Sequence, residues 1–490
     1  MTAHNAFAWR AAIRCKSAVG VVARFQSERF HRGFRKRPPR FDRFIRGHHV
    51  RNNCRGLCRV SFSHEEDRAN RRAAVQRRGS YEDNLTICHA LLYSSRGACC
   101  HGIASSRPEH QITERGRQNR SWSERVASKR ANEELPVIAR FEVRRRNYLA
   151  PDGSIERPLP AFATDAKLLV ELYRSMVLLR LFDRKAVALQ RTGRLGTYAI
   201  SLGQEAVSVG IASAMRQDDV LLPSYRDNGA LLWRGVKPEE ILLFWGGDER
   251  GNQFSGPVHD FPFCVPVGSQ APHAAGVAYA FRLRREPRVA VCLFGDGATS
   301  KGDVYEAMNF AGVHKLPLVF VATNNQWAIS VPLRLQTASE TLAQKAIAAG
   351  FSGEQVDGCD VVAVRAAAEE AIAAARDGKG PHFIEAVTYR LGDHTTSDDA
   401  LRYRSAEEVQ AHWKEEPIAR LRSYLVGQKM WTKADEERLA AECHERIEAA
   451  VERYLKTPPR RPETMFDNLY ADLPEAFGAQ RRELAGEDDA

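Results

Sequence analysis

Asp296 and Asn325 lie 29 positions apart, and each stands at the end of an apolar run that reads as a buried strand. The first run is 289–294, closed by Gly295-Asp296-Gly297; the second is 316–323, closed by Asn324-Asn325. Asp296 offers a hard anionic oxygen and Asn325 a neutral amide oxygen. That pair suits Mg²⁺, which takes oxygen ligands and is usually held by one or two protein groups plus phosphate oxygens. Gly295 and Gly297 let backbone N–H groups approach a phosphate, and the helix that follows adds its positive end. A diphosphate held through Mg²⁺ is the natural ligand. Gly-Asp-Gly by itself is more often a plain strand-to-helix turn; the Asn-Asn pair at the right offset singles out the ligand reading.

The elements between the two motifs must bring them together. Residues 303–315 read as a helix with Val304, Ala307, Met308 and Ala311 on one face. Strand, helix, strand at this length is a βαβ unit, so the strands lie parallel and both motifs emerge at their carboxyl ends, where open α/β sheets bind ligands. The expected fold is α/β, a doubly wound parallel sheet, with a helical C-terminal region. The chain divides into a head (1–130), an extended lead-in (131–165), the α/β domain (166–400) and the C-terminal helices (401–490). Within the domain we expect a helix over 164–192, a second from near Gly203, and a strand over 220–222 leading into Ser224-Tyr225-Arg226. A helix over 268–284 has a flat side of Ala271, Ala274, Ala275 and Ala278. A strand-like run over 360–364, an alanine-rich helix over 366–377 and a last strand over 382–387 follow. Thr432 with Asp435 opens a long helix whose stripe is Leu439, Cys443, Ile447 and Val451, stopped by Pro458-Pro459.

With these motifs in order, the chain resembles the thiamine-diphosphate-dependent 2-oxo acid dehydrogenases, in particular the α subunit of the pyruvate dehydrogenase E1 component. The likeness rests on 295–303, 324–330, Gly203-Gln204-Glu205-Ala206, 223–226, 355–358, and Tyr389-Arg390 ahead of 394–399, and spans about Phe141 to about Phe477. It implies the thiamine-diphosphate-binding type of fold, thiamine diphosphate and Mg²⁺ as cofactors, and oxidative decarboxylation of a 2-oxo acid with acyl transfer to a lipoyl group. The implied partners are an E1 β subunit, in an α₂β₂ heterotetramer, and a lipoyl-bearing E2 acyltransferase. Pyruvate is the first expectation, because 341–346 is similar to bacterial pyruvate enzymes; branched-chain 2-oxo acids are the alternative, since 396–399 resembles those equally.

The resemblance also assigns roles. Asp296, Asn325 and the backbone carbonyl of Trp327 would hold the metal, with the Trp327 ring left to packing. Tyr225, Arg226, Val265, Val267, Asp296, Gly297, Ala298, Asn325 and His394 would contact the cofactor, Arg226 by gripping the diphosphate with paired charge-assisted bonds. His394 would be catalytic, stabilising the reacting carbonyl or the diphosphate, although a loop histidine is ordinarily a solvated bystander. Some relatives carry a second histidine where this chain has Gly392, and another where it has Ala199. Serine phosphorylation beside the histidine, known in animal relatives, is not carried over, because Thr395 stands there. Gln204 and Glu205 read as the first turn of a helix. The alanine-rich face after Gly268 and the C-terminal helices are candidate contact surfaces for the β subunit.

Charge separates the head from the rest. The whole chain is +11, but residues 1–130 carry 25 Arg, 3 Lys and 10 acids, whereas the remainder is net −7. Six of the ten cysteines lie in the head, and no methionine stands between Met1 and Met176. The head reads as an upstream extension of a true start near 126–136; a disordered segment, a nucleic-acid-binding arm and an organelle transit peptide are the alternatives. A nucleic-acid-binding protein built on the head is the competing function, weighed down by the positive charge ending where the folded pattern begins. Cys54, Cys58, Cys99, Cys100 and His101 fit no common zinc spacing. Scattered cysteines in the body point to a reducing compartment, bacterial cytoplasm first and mitochondrial matrix second. No apolar stretch reaches membrane-spanning length.

Overall fold

The computed structural model describes residues 137–486. The Arg-rich head, its cysteines and the start of the lead-in lie outside the described residues. Strands β1 (Arg145–Arg146), β2 (Val220–Leu222), β3 (Ala290–Gly295) and β4 (Leu318–Asn324) are followed by a two-residue hairpin, β5 (Trp327–Ala328) with β6 (Val331–Pro332). Two further strands, β7 (Gly353–Asp357) and β8 (His382–Val387), complete one six-stranded parallel sheet in the order β1-β7-β8-β4-β3-β2. Its helices include α1 (Ala166–Arg191), α2 (Glu205–Ser213), α3 (Gln270–Arg284), α4 (Gly302–Val313), α5 (Val361–Arg376), α6 (Pro417–Gly427) and α7 (Lys433–Lys456).

Both faces of the sheet are covered, which is why β3 and β4 are apolar along nearly their whole length until the polar Thr323 and Asn324 at the end of β4. Val291, Leu293, Val319 and Val321 share a core with α1, α2 and α5. Their neighbours Ala290, Cys292, Phe294, Leu318, Phe320 and Ala322 point the other way, into a core with α3 and α4. The doubly wound α/β fold expected from the βαβ unit is present.

Two expectations are corrected. Residues 360–364 are not a strand: Asp360 caps α5, its Oδ1 accepting from the N–H of Val362 and Ala363 at 3.0 and 3.2 Å. The strand lies earlier, at β7. The flat alanine face of α3 is not a free surface either, because Ala271, Ala274, Ala275 and Ala278 are buried in this chain's own second core. The C-terminal helices bury only their apolar stripes in this chain, and their outer faces stay exposed. Leu421 and Leu425 of α6 and Leu439, Cys443, Ile447 and Val451 of α7 join the core of α1. Thr432 and Asp435 form the reciprocal cap of α7. No helix among the described residues is long and apolar enough to cross a membrane.

Candidate active site

Register decides which loops meet. Gly295 of β3 pairs with Thr323 of β4, Leu222 of β2 with Cys292, and Val387 of β8 with Asn324. Four adjacent strands therefore end together, and the segments leaving them carry Tyr225-Arg226, Asp296, Asn325 and the 389–394 loop. They surround a cleft of about 260 Å³ lined by Tyr225, Arg226, Val267, Asp296, Asn325 and His394, among others. Gly297 and Ala298 line it too.

The two asparagines divide the labour. Asn324 turns into the protein, donating to Glu385 at 2.7 Å. Asn325 turns to the cleft; its Oδ1 accepts from Trp327 N–H at 3.2 Å and its Nδ2 donates to Gln204 at 2.9 Å. Asp296 is buried, with one carboxylate oxygen accepting from Gln336 Nε2 at 2.7 Å. Burial pushes its carboxyl above the usual range, against the pull of Gln336. Such a carboxylate gains most from a cation. Among the described residues no cluster of three or more His, Cys, Asp or Glu could hold a metal; a cation placed at Asp296 and Asn325 would draw the rest of its shell from other oxygens, the usual habit of Mg²⁺. The Trp327 carbonyl accepts from the Arg390 guanidinium at 3.2 Å, which leaves its second lone pair for another partner. The Trp327 ring packs with Tyr389 and Leu391, as expected of it.

Arg226 and Arg390 supply the complementary charge. Both are buried, and none of their hydrogen bonds goes to a carboxylate. Arg226 donates to the carbonyls of Ile200 and His394 at 2.5 and 3.0 Å. Arg390 donates to the carbonyl of Ile329 and the hydroxyl of Tyr403, each at 2.7 Å. Buried charges are ordinarily paired; among the described residues neither guanidinium meets a carboxylate, so Arg226, which lines the cleft, and Arg390, bonded to His394 of that lining, suit an anion. Burial and the neighbouring Arg226 and Arg404 pull Arg390 down to about 10. Both guanidiniums also reach His394 Nδ1, at 3.2 and 3.4 Å. A guanidinium has only donors, so Nδ1 is the acceptor and the neutral ring carries its proton on Nε2. Burial first, then the two arginines, pulls His394 down to about 4. It is a neutral hydrogen-bond donor at pH 7, held in place rather than a solvated bystander.

The remaining assignments are uneven. Tyr225 stacks edge-on against His394, with ring centroids 6.1 Å apart. Val267 reaches the cleft, but Val265 is half exposed and lies outside its lining. A Cβ on Gly297 would sit 2.7 Å from Ala328 Cβ, so that glycine serves the contact between the two loops, whereas Gly295 has open space. Glu205 is fully buried and paired with Arg180, a structural role in α2. Three contributors escaped the sequence reading of the site: Gln204, Gln336 and Arg390. Arg390 carried a usable signal, since Tyr389-Arg390 leaves a buried strand much as Tyr225-Arg226 does.

A family model, the dehydrogenase E1 component, matches residues 173–463, which includes this cleft. The chain belongs to the dehydrogenase E1 component family. That family is thiamine-diphosphate dependent, and the donor set above fits such a ligand. The 3-methyl-2-oxobutanoate dehydrogenase subunit alpha of Mycobacterium tuberculosis (strain H37Rv) is 44% identical over 316 residues, 64% of this chain and 86% of the relative. The pyruvate dehydrogenase E1 component subunit alpha of Mycoplasma genitalium is 38% identical over 322 residues, 66% of this chain and 90% of the relative. Its counterpart from Staphylococcus aureus (strain COL) is 41% identical over 319 residues, 65% and 86%. The chain is an E1 member of the α type.

Proposed function

We propose that this chain is the α subunit of a pyruvate dehydrogenase E1 component, holding the Mg²⁺-diphosphate end of thiamine diphosphate. The observation that carries this is the pair of buried, carboxylate-free guanidiniums of Arg226 and Arg390 beside the Asp296–Asn325 oxygen pair. Asp296 and Asn325 would take the metal; Arg226 and Tyr225 would hold the diphosphate; His394 would present Nε2–H to the cleft. When bound, the cofactor supplies the carbanion chemistry of 2-oxo acid decarboxylation, and the protein binds, orients and excludes water. A β subunit and a lipoyl-bearing E2 belong to the same proposal, as does a cytoplasmic location.

Pyruvate is supported by the relatives from Mycoplasma and Staphylococcus, and branched-chain 2-oxo acids by the one from Mycobacterium. The segment 341–346 does not discriminate, because Leu342, Ala343 and Ala346 are buried in the second core and absent from the cleft lining. Steady-state assays of the assembled E1 with pyruvate and 3-methyl-2-oxobutanoate decide it. Higher kcat/KM for pyruvate is the expected outcome; a tenfold preference for the branched acid overturns the substrate choice, and no turnover of either overturns the proposal.

A further inference from the structure

Gln204 sits at the mouth of α2 with its side chain 4% exposed, and it lines the cleft. A chain of amides fixes which way it faces. The Trp327 N–H donates to Asn325 Oδ1, so Asn325 must present Nδ2 on its other side, and that Nδ2 donates to Gln204 Oε1 at 2.9 Å. Gln204 Nε2 is thereby turned away from Asn325, and it is buried with no hydrogen-bond partner among the described residues. An unmet buried N–H is destabilising, and an amide N–H can be satisfied only by an acceptor. Gln204 lines the cleft together with Asp296, Asn325 and Arg226, and Arg390 stands behind it, donating to His394 of the same lining.

We infer that Gln204 has two roles toward the ligand of this cleft. Its Oε1 is a positioning contact that keeps the Asn325 amide oxygen on the metal side, and its Nε2–H donates to an oxygen of the bound diphosphate. This rests on the proposal that the cleft takes Mg²⁺-diphosphate. The two roles separate by substitution. Gln204→Glu keeps an acceptor for Asn325 but replaces the donor with a negative charge. Gln204→Met keeps the length and removes both.

The test is calorimetric titration of the assembled E1 with Mg²⁺ plus thiamine diphosphate, and separately with Mg²⁺ plus inorganic diphosphate, which lacks the thiamine rings. Both variants are expected to bind each probe at least tenfold more weakly than wild type, with unchanged thermal unfolding of the unliganded protein. Gln204→Glu within twofold of wild type overturns the direct donor role, and Gln204→Met within twofold overturns both roles, while wild-type binding leaves the cofactor proposal standing. Absence of Mg²⁺-dependent binding by wild type itself sinks the cofactor proposal and this inference with it. A crystal structure of wild type with Mg²⁺ and diphosphate bound needs no variant: Nε2 beyond hydrogen-bond reach of every ligand oxygen overturns the donor role.

Discussion

Arg226 donates to Nδ1 of His394 at 3.2 Å and to the same residue's carbonyl at 3.0 Å, so one guanidinium fixes both the ring and the backbone of the 389–394 loop. The contact leaves the proton of His394 on Nε2 and keeps the ring neutral. It also means that an anion placed on Arg226 changes the histidine's environment directly.

The first prediction follows from that coupling. His394 titrates near 4 in the fold against 6.5 ordinarily, so between those values the unfolded chain binds the extra proton. Stability of the unliganded protein should therefore fall as pH drops from about 6.5 to about 4. His394→Asn should show a shallower fall over the same window. Mg²⁺ with inorganic diphosphate should also flatten it, by offsetting the guanidinium charge. Thermal unfolding at half-unit pH steps measures this, and coincident curves for wild type and variant would rule out the assignment. Arg226→Gln should in addition weaken diphosphate binding at least tenfold, about 1.4 kcal/mol.

Asp296 gives the second prediction. Its carboxyl is held above the usual range by burial, so at neutral pH the charged form is a cost to the unliganded fold. Asp296→Asn keeps the size and the acceptor for Gln336 while removing that charge. The variant should unfold at a temperature equal to or above wild type, and should lose Mg²⁺-dependent thiamine diphosphate binding. Asn325→Ala should lose the same binding. Affinity within twofold of wild type for either variant would remove the metal assignment.

The sequence showed the central βαβ unit clearly because both its strands are covered on two faces and so are apolar throughout. The site was legible where chemistry and backbone coincide, at Asp296 and Asn325. It was not legible where a residue acts through distant contacts. Gln204 is 121 positions from Asn325, and Gln336 is 40 from Asp296; no local pattern marks either. The misread strand at 360–364 has a local cause. Val361, Val362 and Val364 are β-branched and favour strands, but Asp360 directly before them is a strong helix cap, and the cap prevailed.

Asp360 carries the third prediction. Its Oδ1 caps α5, and its Oδ2 accepts from the N–H of Tyr148 and Leu149 at 2.7 and 2.8 Å. One fully buried carboxylate thus starts the helix and ties the lead-in to the sheet. Asp360→Ala removes a cap, worth about 1 kcal/mol, and strands buried N–H groups at about 1–3 kcal/mol each. Loss of about 2–5 kcal/mol in denaturant unfolding is expected, with little change in diphosphate affinity for the protein that remains folded. A loss under about 1 kcal/mol would show that the lead-in is not held through Asp360.

The last prediction is that this chain alone is catalytically silent. Activation of thiamine needs a carboxylate at the aminopyrimidine, to promote the tautomer that takes the proton from the thiazolium carbon. Among the described residues the only carboxylates lining the cleft are Asp227 and Asp296. Asp296 is engaged with Gln336 and is the proposed metal ligand. Asp227 is buried and spent on Ser224, whose N–H and hydroxyl donate to it at 2.8 and 2.6 Å; burial raises it to about 6 despite those bonds. Neither is placed to serve the ring end. Ile329 lines the cleft and is exposed, and Val331 and Leu335 close to it in sequence are exposed apolar side chains too, a feature suited to a second subunit. The purified chain with thiamine diphosphate, Mg²⁺, pyruvate and an artificial electron acceptor should turn over at background rate, and adding the β subunit should raise the rate by at least a hundredfold. Turnover by the isolated chain within tenfold of the assembled E1 would place the missing carboxylate in this polypeptide and refute the split site.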